Sequence, residues 1–161
     1  MTIGRDGIPS QGPAIDEVAR IARELESHGR FGLTRGFIQH GDVSVYEHVV
    51  SVARASAAAG ASLERMGVRV DRPSLIRGAL LHDYFLYDWH DPAAALARAL
   101  EDFELTERER NIIARHMFPL VPIPPTCREA WIVCMADKAC ALHETIAARL
   151  PGRRGGRTAC A

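Results

Sequence analysis

Apolar residues recur three and four positions apart along most of this chain, a pattern that predicts helices rather than strands. From Pro13, the set Ile15, Val18, Ile21, Ala22 and Leu25 falls on one face of a helix closed by Gly29. Residues 29–43 read as a glycine-containing connector. Ser44 and Glu47 then have the spacing of a capping box, in which each side chain accepts the other residue's backbone N–H. The long helix they open runs to about Gly60, with Val45, Val49, Val52, Ala53 and Ser56 as its apolar stripe. Asp71-Arg72-Pro73 starts a third helix, since proline's missing N–H would have no partner in a first turn. Two inward lines run along it, Leu75/Ala79/His82 and Ile76/Leu80/Asp83, and a helix apolar on two lines is a central one. Asp91-Pro92 opens a short alanine-rich helix to about Phe103. A second box, Thr106 with Glu109, opens a helix carrying Ile112, Ile113 and His116 on one face. Four of the nine prolines lie between Pro119 and Pro125 and predict an extended loop. Thr126 with Glu129 has the box spacing again, before a last long helix ending near Leu150. No convincing strand is visible. The fold class is all-α: a single-domain helical bundle over residues 13–150, after an irregular segment 1–12 and before an Arg/Gly tail, 151–161, expected to be disordered.

Composition narrows the functional field. The chain has 161 residues, enough for one domain with a real core. Twenty basic residues balance twenty acidic ones, so no global field recommends nucleic acid or an anionic membrane as partner. A small molecule is the expected partner, held by a local site. No apolar run approaches the roughly 20 residues of a membrane span, and the first residues lack the apolar core of a signal peptide, which predicts a cytoplasmic protein. The four cysteines, Cys127, Cys134, Cys140 and Cys160, form no C-x-x-C pair, so a zinc knuckle or redox motif is not indicated and reduced thiols are expected.

Against the apolar pattern stand five polar groups where core-facing side chains should be. His48 sits on the stripe of the second helix, and His82 and Asp83 end the two inward lines of the third. His116 follows Ile112 and Ile113, and Asp137 follows the run from Trp131 to Ala136. A buried carboxylate without a partner costs several kcal/mol, so something must compensate Asp137. Imidazoles and carboxylates pointing inward from several helices are what a metal site requires. Consecutive helical residues diverge by about 100°, so His82 and Asp83 can grip one ion from two sides, or Asp83 can bridge two. Mixed nitrogen and oxygen donors suit Mn, Fe, Ni, Co or Zn rather than Ca. With water in an open position such a site makes a nucleophile at neutral pH and offsets charge on a phosphoryl oxygen. Each residue alone also has a structural reading: His48 as a satisfied core imidazole, His116 as a helix-terminal one, Lys138 and Arg115 as surface cations, His90 as a loop-to-cap junction.

The order His48, His82-Asp83, Asp137 resembles the HD superfamily of metal-dependent phosphohydrolases, over roughly residues 35–148. The stretches 39–48 (QHGDVSVYEH) and 79–90 (ALLHDYFLYDWH) resemble a largely uncharacterised bacterial subgroup, as do residues 115–120 and 136–138. The resemblance implies an HD-type bundle with His48, His82, Asp83 and Asp137 as ligands of a divalent transition metal. His116 is similar to the extra histidines with which two-metal members hold a second ion, and the chain offers His90 or Asp91 as its companion. Asp83 is then the candidate proton acceptor, with Lys138, Arg115 and His116 helping to hold phosphate. Many members carry a lysine three residues after the doublet, where this chain has Leu86. The implied activity is hydrolysis of a phosphomonoester or phosphodiester of a nucleotide or small metabolite through metal-activated water. The alternatives are a di-iron oxygenase of the HD-like type and a catalytically silent metal- or nucleotide-binding module.

Overall fold

Three helix starts carry the caps their sequences predict. In a computed structural model describing residues 13–40, 42–84 and 92–149, Ser44 Oγ accepts the Glu47 N–H at 3.2 Å while Glu47 Oε2 accepts the Ser44 N–H at 2.9 Å. Thr106 and Glu109 exchange the same pair at 3.2 and 2.8 Å, and Asp71 Oδ1 accepts the Ser74 N–H at 3.2 Å. Each such cap contributes about 1 kcal/mol. They open helices α2 (Val45–Arg65), α5 (Glu107–Arg115) and α3 (Arg72–Leu81). Helices α1 (Pro13–His28), α4 (Pro92–Asp102) and α6 (Arg128–Arg149) complete the set among the described residues. A short 3-10 helix, Phe31–Gly36, follows α1. The irregular segment 1–12 and the tail 151–161 lie outside the described residues.

Three details depart from expectation. First, α2 passes through Gly60 to Arg65, because this glycine is packed, not terminal: a Cβ there would sit 2.8 Å from Leu75 Cδ2 of α3. The stop is Gly67, at φ +83°. Its N–H bonds Glu64 O at 2.9 Å and the Val68 N–H bonds Leu63 O at 3.0 Å, the paired bonds that close a helix through a left-handed residue. Second, the connector contains a small hairpin, β1 (Ile38–His40) antiparallel to β2 (Val43–Ser44), with Ile38 opposite Ser44 and His40 opposite Val43. Strands this short show no alternation that a pattern search can detect. Third, Thr126 and Glu129 do not cap α6. Thr126 pairs with Asn111, accepting from Nδ2 at 2.6 Å and donating its N–H to Oδ1 at 3.1 Å. Buried Glu129 accepts from the Asp71 N–H and from Arg108 Nη1, both at 3.0 Å. Tertiary partners outcompete the local cap, and the carboxylate ties α6 to the entrance of α3 and to α5.

Helix α3 is central, packed against α2, α5, α6 and α1. Leu75, Ile76, Leu80 and Leu81 are fully buried, each contributing about 1.5–3 kcal/mol, and both predicted inward lines are buried to their ends. The C-terminal end of α3 therefore delivers His82 and Asp83 into the space between α2, α5 and α6. Just beyond the doublet, buried Tyr84 packs between Phe31 and Phe103 and donates its hydroxyl to Asp102 Oδ2 at 2.6 Å. Arg30 grips both oxygens of that carboxylate, at 2.8 and 3.0 Å. This clamp fixes the chain where it leaves the doublet. Among the described residues no helix is long and apolar enough to cross a membrane.

Candidate metal centre

His48 comes from the second turn of α2, His82 and Asp83 from the end of α3, Asp137 from the middle of α6 and His116 from the end of α5. All five are buried. One nitrogen or oxygen each from His48, His82, Asp83 and Asp137 lie within 4.8 Å of one another. Ligands opposite each other across a transition metal stand about 4.0–4.4 Å apart, twice the bond length. A contraction of a few tenths of an ångström closes the four around one ion.

Tautomers explain why a cation suits this space. His48 Nδ1 lies 2.9 Å from Glu144 Oε2, His82 Nδ1 2.7 Å from Ala79 O, and His116 Nδ1 2.8 Å from Ile113 O. Each of these partners accepts, so each Nδ1 carries a proton, and a ring in its neutral form turns the Nε2 lone pair inward. Those lone pairs meet carboxylates: His48 Nε2 is 3.1 Å from Asp137 Oδ1, and His116 Nε2 is 3.2 Å from Asp83 Oδ1. His82 Nε2 is 3.4 Å from Asp83 Oδ2 and 3.6 Å from Asp137 Oδ1, buried and without a hydrogen-bond partner. Acceptors facing acceptors repel unless something positive lies between them. A divalent ion meets this need, and the outward Nδ1 bonds are the outer-shell contacts that orient histidine ligands. Without an ion, a proton takes that place at His82. Burial pulls the His82 imidazole down, but Asp83 and Asp137 more than offset this and hold it at about 9. Burial pushes Asp83 up, yet His82 and His116 hold it well below the carboxylate range; at Asp137, His48 and His82 do the same against burial.

His116 lies beside this quartet rather than within it. Asp83 directs Oδ2 towards His48 and His82, and Oδ1 towards His116. That is the disposition of a carboxylate able to serve two neighbouring ions. His90 and Asp91, the expected companions of His116, lie outside the described residues. Lys138 Nζ donates to the His116 carbonyl at 2.7 Å and stands 3.8 Å from Asp137 Oδ2. Arg115 is directed elsewhere, donating to Pro124 O of the proline loop at 3.2 Å.

Two residues at the centre went unnoticed in the sequence. Glu144 is the acceptor for His48 Nδ1; it lies two helical turns after Asp137, so the seven-residue spacing on a buried face was the available signal. Gln39 of β1 donates Nε2 to Asp83 Oδ2 at 2.6 Å, and no periodic signal marks a residue on so short a strand. Glu144→Gln keeps the side chain's shape but removes the charge that orients His48. Metal affinity is expected to fall about 10- to 100-fold with the fold unchanged, measured by competition with a chromogenic chelator. Unaltered affinity would reduce Glu144 to a packing role.

The fold and the centre define a helical protein with a buried His/Asp cluster able to hold a metal ion. The chain belongs to the HD-domain family, whose model matches residues 45–142, from the start of α2 into the second half of α6. That span includes His48, the doublet, His116 and Asp137. No curated protein and no solved structure matches this chain.

Proposed function

We propose that this protein is a metal-dependent phosphohydrolase acting on a phosphomonoester or phosphodiester of a nucleotide or another small metabolite. The observation that supports it most is the convergence of three inward Nε2 atoms on two carboxylates, with His82 Nε2 left without a hydrogen bond. Membership of a family of metal-dependent phosphohydrolases supports the reaction class. His48, His82, Asp83 and Asp137 would hold a divalent Mn, Fe, Ni, Co or Zn ion, which would supply Lewis acidity towards phosphoryl oxygen and a more acidic water.

The protein's own groups do the rest. In hydrolysis the water oxygen bonds to phosphorus while the ester P–O bond breaks. Asp83 accepts the water's proton and returns it to the leaving oxygen, its Oδ2 steadied by Gln39. Lys138 brings an ammonium beside Asp137 and, through the His116 carbonyl, keeps the end of α5 in place. Its charge and the His116 ring favour a phosphate at the cluster. Arg115 contributes by holding the proline loop. The substrate is a small phosphorylated molecule rather than a nucleic acid or a membrane, in keeping with the balanced charge of the chain.

The placement of Asp83 between the quartet and His116 also favours a second ion, and with two irons the same shell would suit oxygen activation instead. Metal analysis of untagged protein purified without chelator, followed by phosphate-release assays, separates the readings. The assays use protein loaded in turn with Mn, Fe, Co, Ni and Zn, against nucleotides, sugar phosphates and bis(p-nitrophenyl) phosphate. Turnover that requires metal and disappears in Asp83→Asn is the expected result. Two irons with oxygen uptake and no phosphate release would replace the proposal with the oxygenase. Stoichiometric metal without turnover would leave a binding module.

A further inference from the structure

Helix α6 is apolar on both of its sides. Its inner face buries Ala130, Val133 and Cys134 beside Asp137. On the outer face Trp131, Met135, Leu142 and Ile146 are exposed by 41, 62, 62 and 49 %. At about 100° per residue these four fall within one narrow stripe along the helix. A surface helix ordinarily carries its charged residues on that side, and one hydrophobic all round is ordinarily covered. The stripe contains no carboxylate, and two exposed cations, Arg128 and Arg149, close its ends. Lys138, at its edge, turns its ammonium away onto the His116 carbonyl, which leaves small, exposed Ala139 at the middle.

The order of these residues identifies the occupant. About a point between Lys138 and Ala139, Trp131 and Ile146 are equidistant, and so are Met135 and Leu142. A second α6 laid antiparallel across the first sets Trp131 against Ile146 and Met135 against Leu142, twice over, as a two-fold interface demands, and brings Arg128 towards Arg149 only at the exposed rim, where salt screens the like charges. The small residue at the axis lets the helices approach to the usual 8–10 Å or so. The Trp131 end is extended by the proline loop, whose Phe118 ring meets Trp131 at 5.5 Å and which exposes Leu120 and Ile123 by 78 and 49 %. Large apolar side chains present on the order of 150–250 Å² each, so these six leave roughly 600 Å² open. That is at the limit of what a monomer leaves uncovered, about 300–600 Å². With a polar rim it approaches the roughly 800 Å² per partner of a stable interface. We propose that the outer face of α6 is a self-association surface on which two copies of this chain pair antiparallel about an axis between Lys138 and Ala139. This inference is independent of the reaction proposed above.

Sedimentation velocity of the full chain tests it. A species of twice 17.7 kDa is expected. Met135→Glu with Leu142→Glu is expected to weaken association about 100-fold or more without altering metal content or helical circular dichroism. Met66→Glu, at another exposed apolar residue, is expected to leave the dimer intact. Should the double variant misfold, Ala139→Cys gives a second reading. Air oxidation is expected to join it to its own copy as a disulfide dimer, beyond any cross-linking through the native cysteines in a parallel wild-type control. A wild type monomeric at about 100 µM, some hundredfold above a micromolar Kd, would overturn the proposal, as would a dimer that survives the double variant or an Ala139→Cys protein that does not cross-link.

Discussion

Replacing His82 with alanine, or Asp137 with asparagine, is expected to abolish stoichiometric metal binding while leaving the helical circular dichroism intact. Residues one shell removed from a metal cost about 10- to 100-fold in affinity when lost, so removing a member of the quartet should cost more than about 100-fold. The helices survive because their stability lies elsewhere. His82 stands at the C-terminal end of α3, after Leu75, Ile76, Leu80 and Leu81 have made their core contacts. Asparagine keeps the volume of Asp137 and removes a buried charge. A metal that binds only the folded state adds about 2.7 kcal/mol at 100 times its Kd, so added metal should raise the wild-type Tm by several degrees and move neither variant. Metal content by mass spectrometry, with paired thermal melts, reads both effects. Stoichiometric metal retained in both variants would rule out this ligand set.

The largest loss of stability is expected from Gly78→Val. A Cβ at this position would lie 2.5 Å from Ile112 Cδ1, with Ile112 Cβ and Cγ2 at 3.1 and 3.2 Å. Ile112 is fully buried and has nowhere to withdraw. Alanine in place of glycine favours a helix by about 1 kcal/mol, but overpacking a tight core costs about 1–3 kcal/mol, and valine adds two further methyl groups. A net cost of about 3 kcal/mol, near 10 °C in Tm for a chain of this size, is expected. The effect reaches the metal centre, because forcing α3 from α5 separates Asp83 Oδ1 from His116 Nε2, now 3.2 Å apart. Pairing the substitution with Ile112→Ala should recover part of the stability in a double-mutant cycle. A Gly78→Val protein that melts with the wild type would mean that α3 and α5 do not meet at this glycine.

How much of this was legible beforehand depended on whether a residue's role was local. Ser44/Glu47, Thr106/Glu109 and Asp71 act on backbone within three residues, and their spacing alone announced the helix starts. The same spacing at Thr126/Glu129 misled, because Asn111, Asp71 and Arg108 offer those groups better partners from distant parts of the chain. Gly60 illustrates the same limit: a helix stop by composition, it is a packing contact made possible by Leu75 across the core. At the centre, the quartet stood out because polar groups on apolar stripes contradict their surroundings. Glu144 follows the same logic at two turns' spacing from Asp137, but its role shows only in space, in the bond from His48 Nδ1. Gln39 could not have been found, since its role exists only once the hairpin brings β1 to the end of α3.

The bond from Lys138 to the His116 carbonyl has a consequence for charge neutrality. Among the described residues three carboxylates surround the centre, those of Asp83, Asp137 and Glu144, and one ammonium, that of Lys138, stands beside them. One divalent ion brings this set to balance, so that an anion is then held by coordination and hydrogen bonds rather than by excess charge. A second ion leaves two positive charges, which a phosphate dianion matches. The number of ions bound therefore sets the charge of the ligand that the centre retains most tightly.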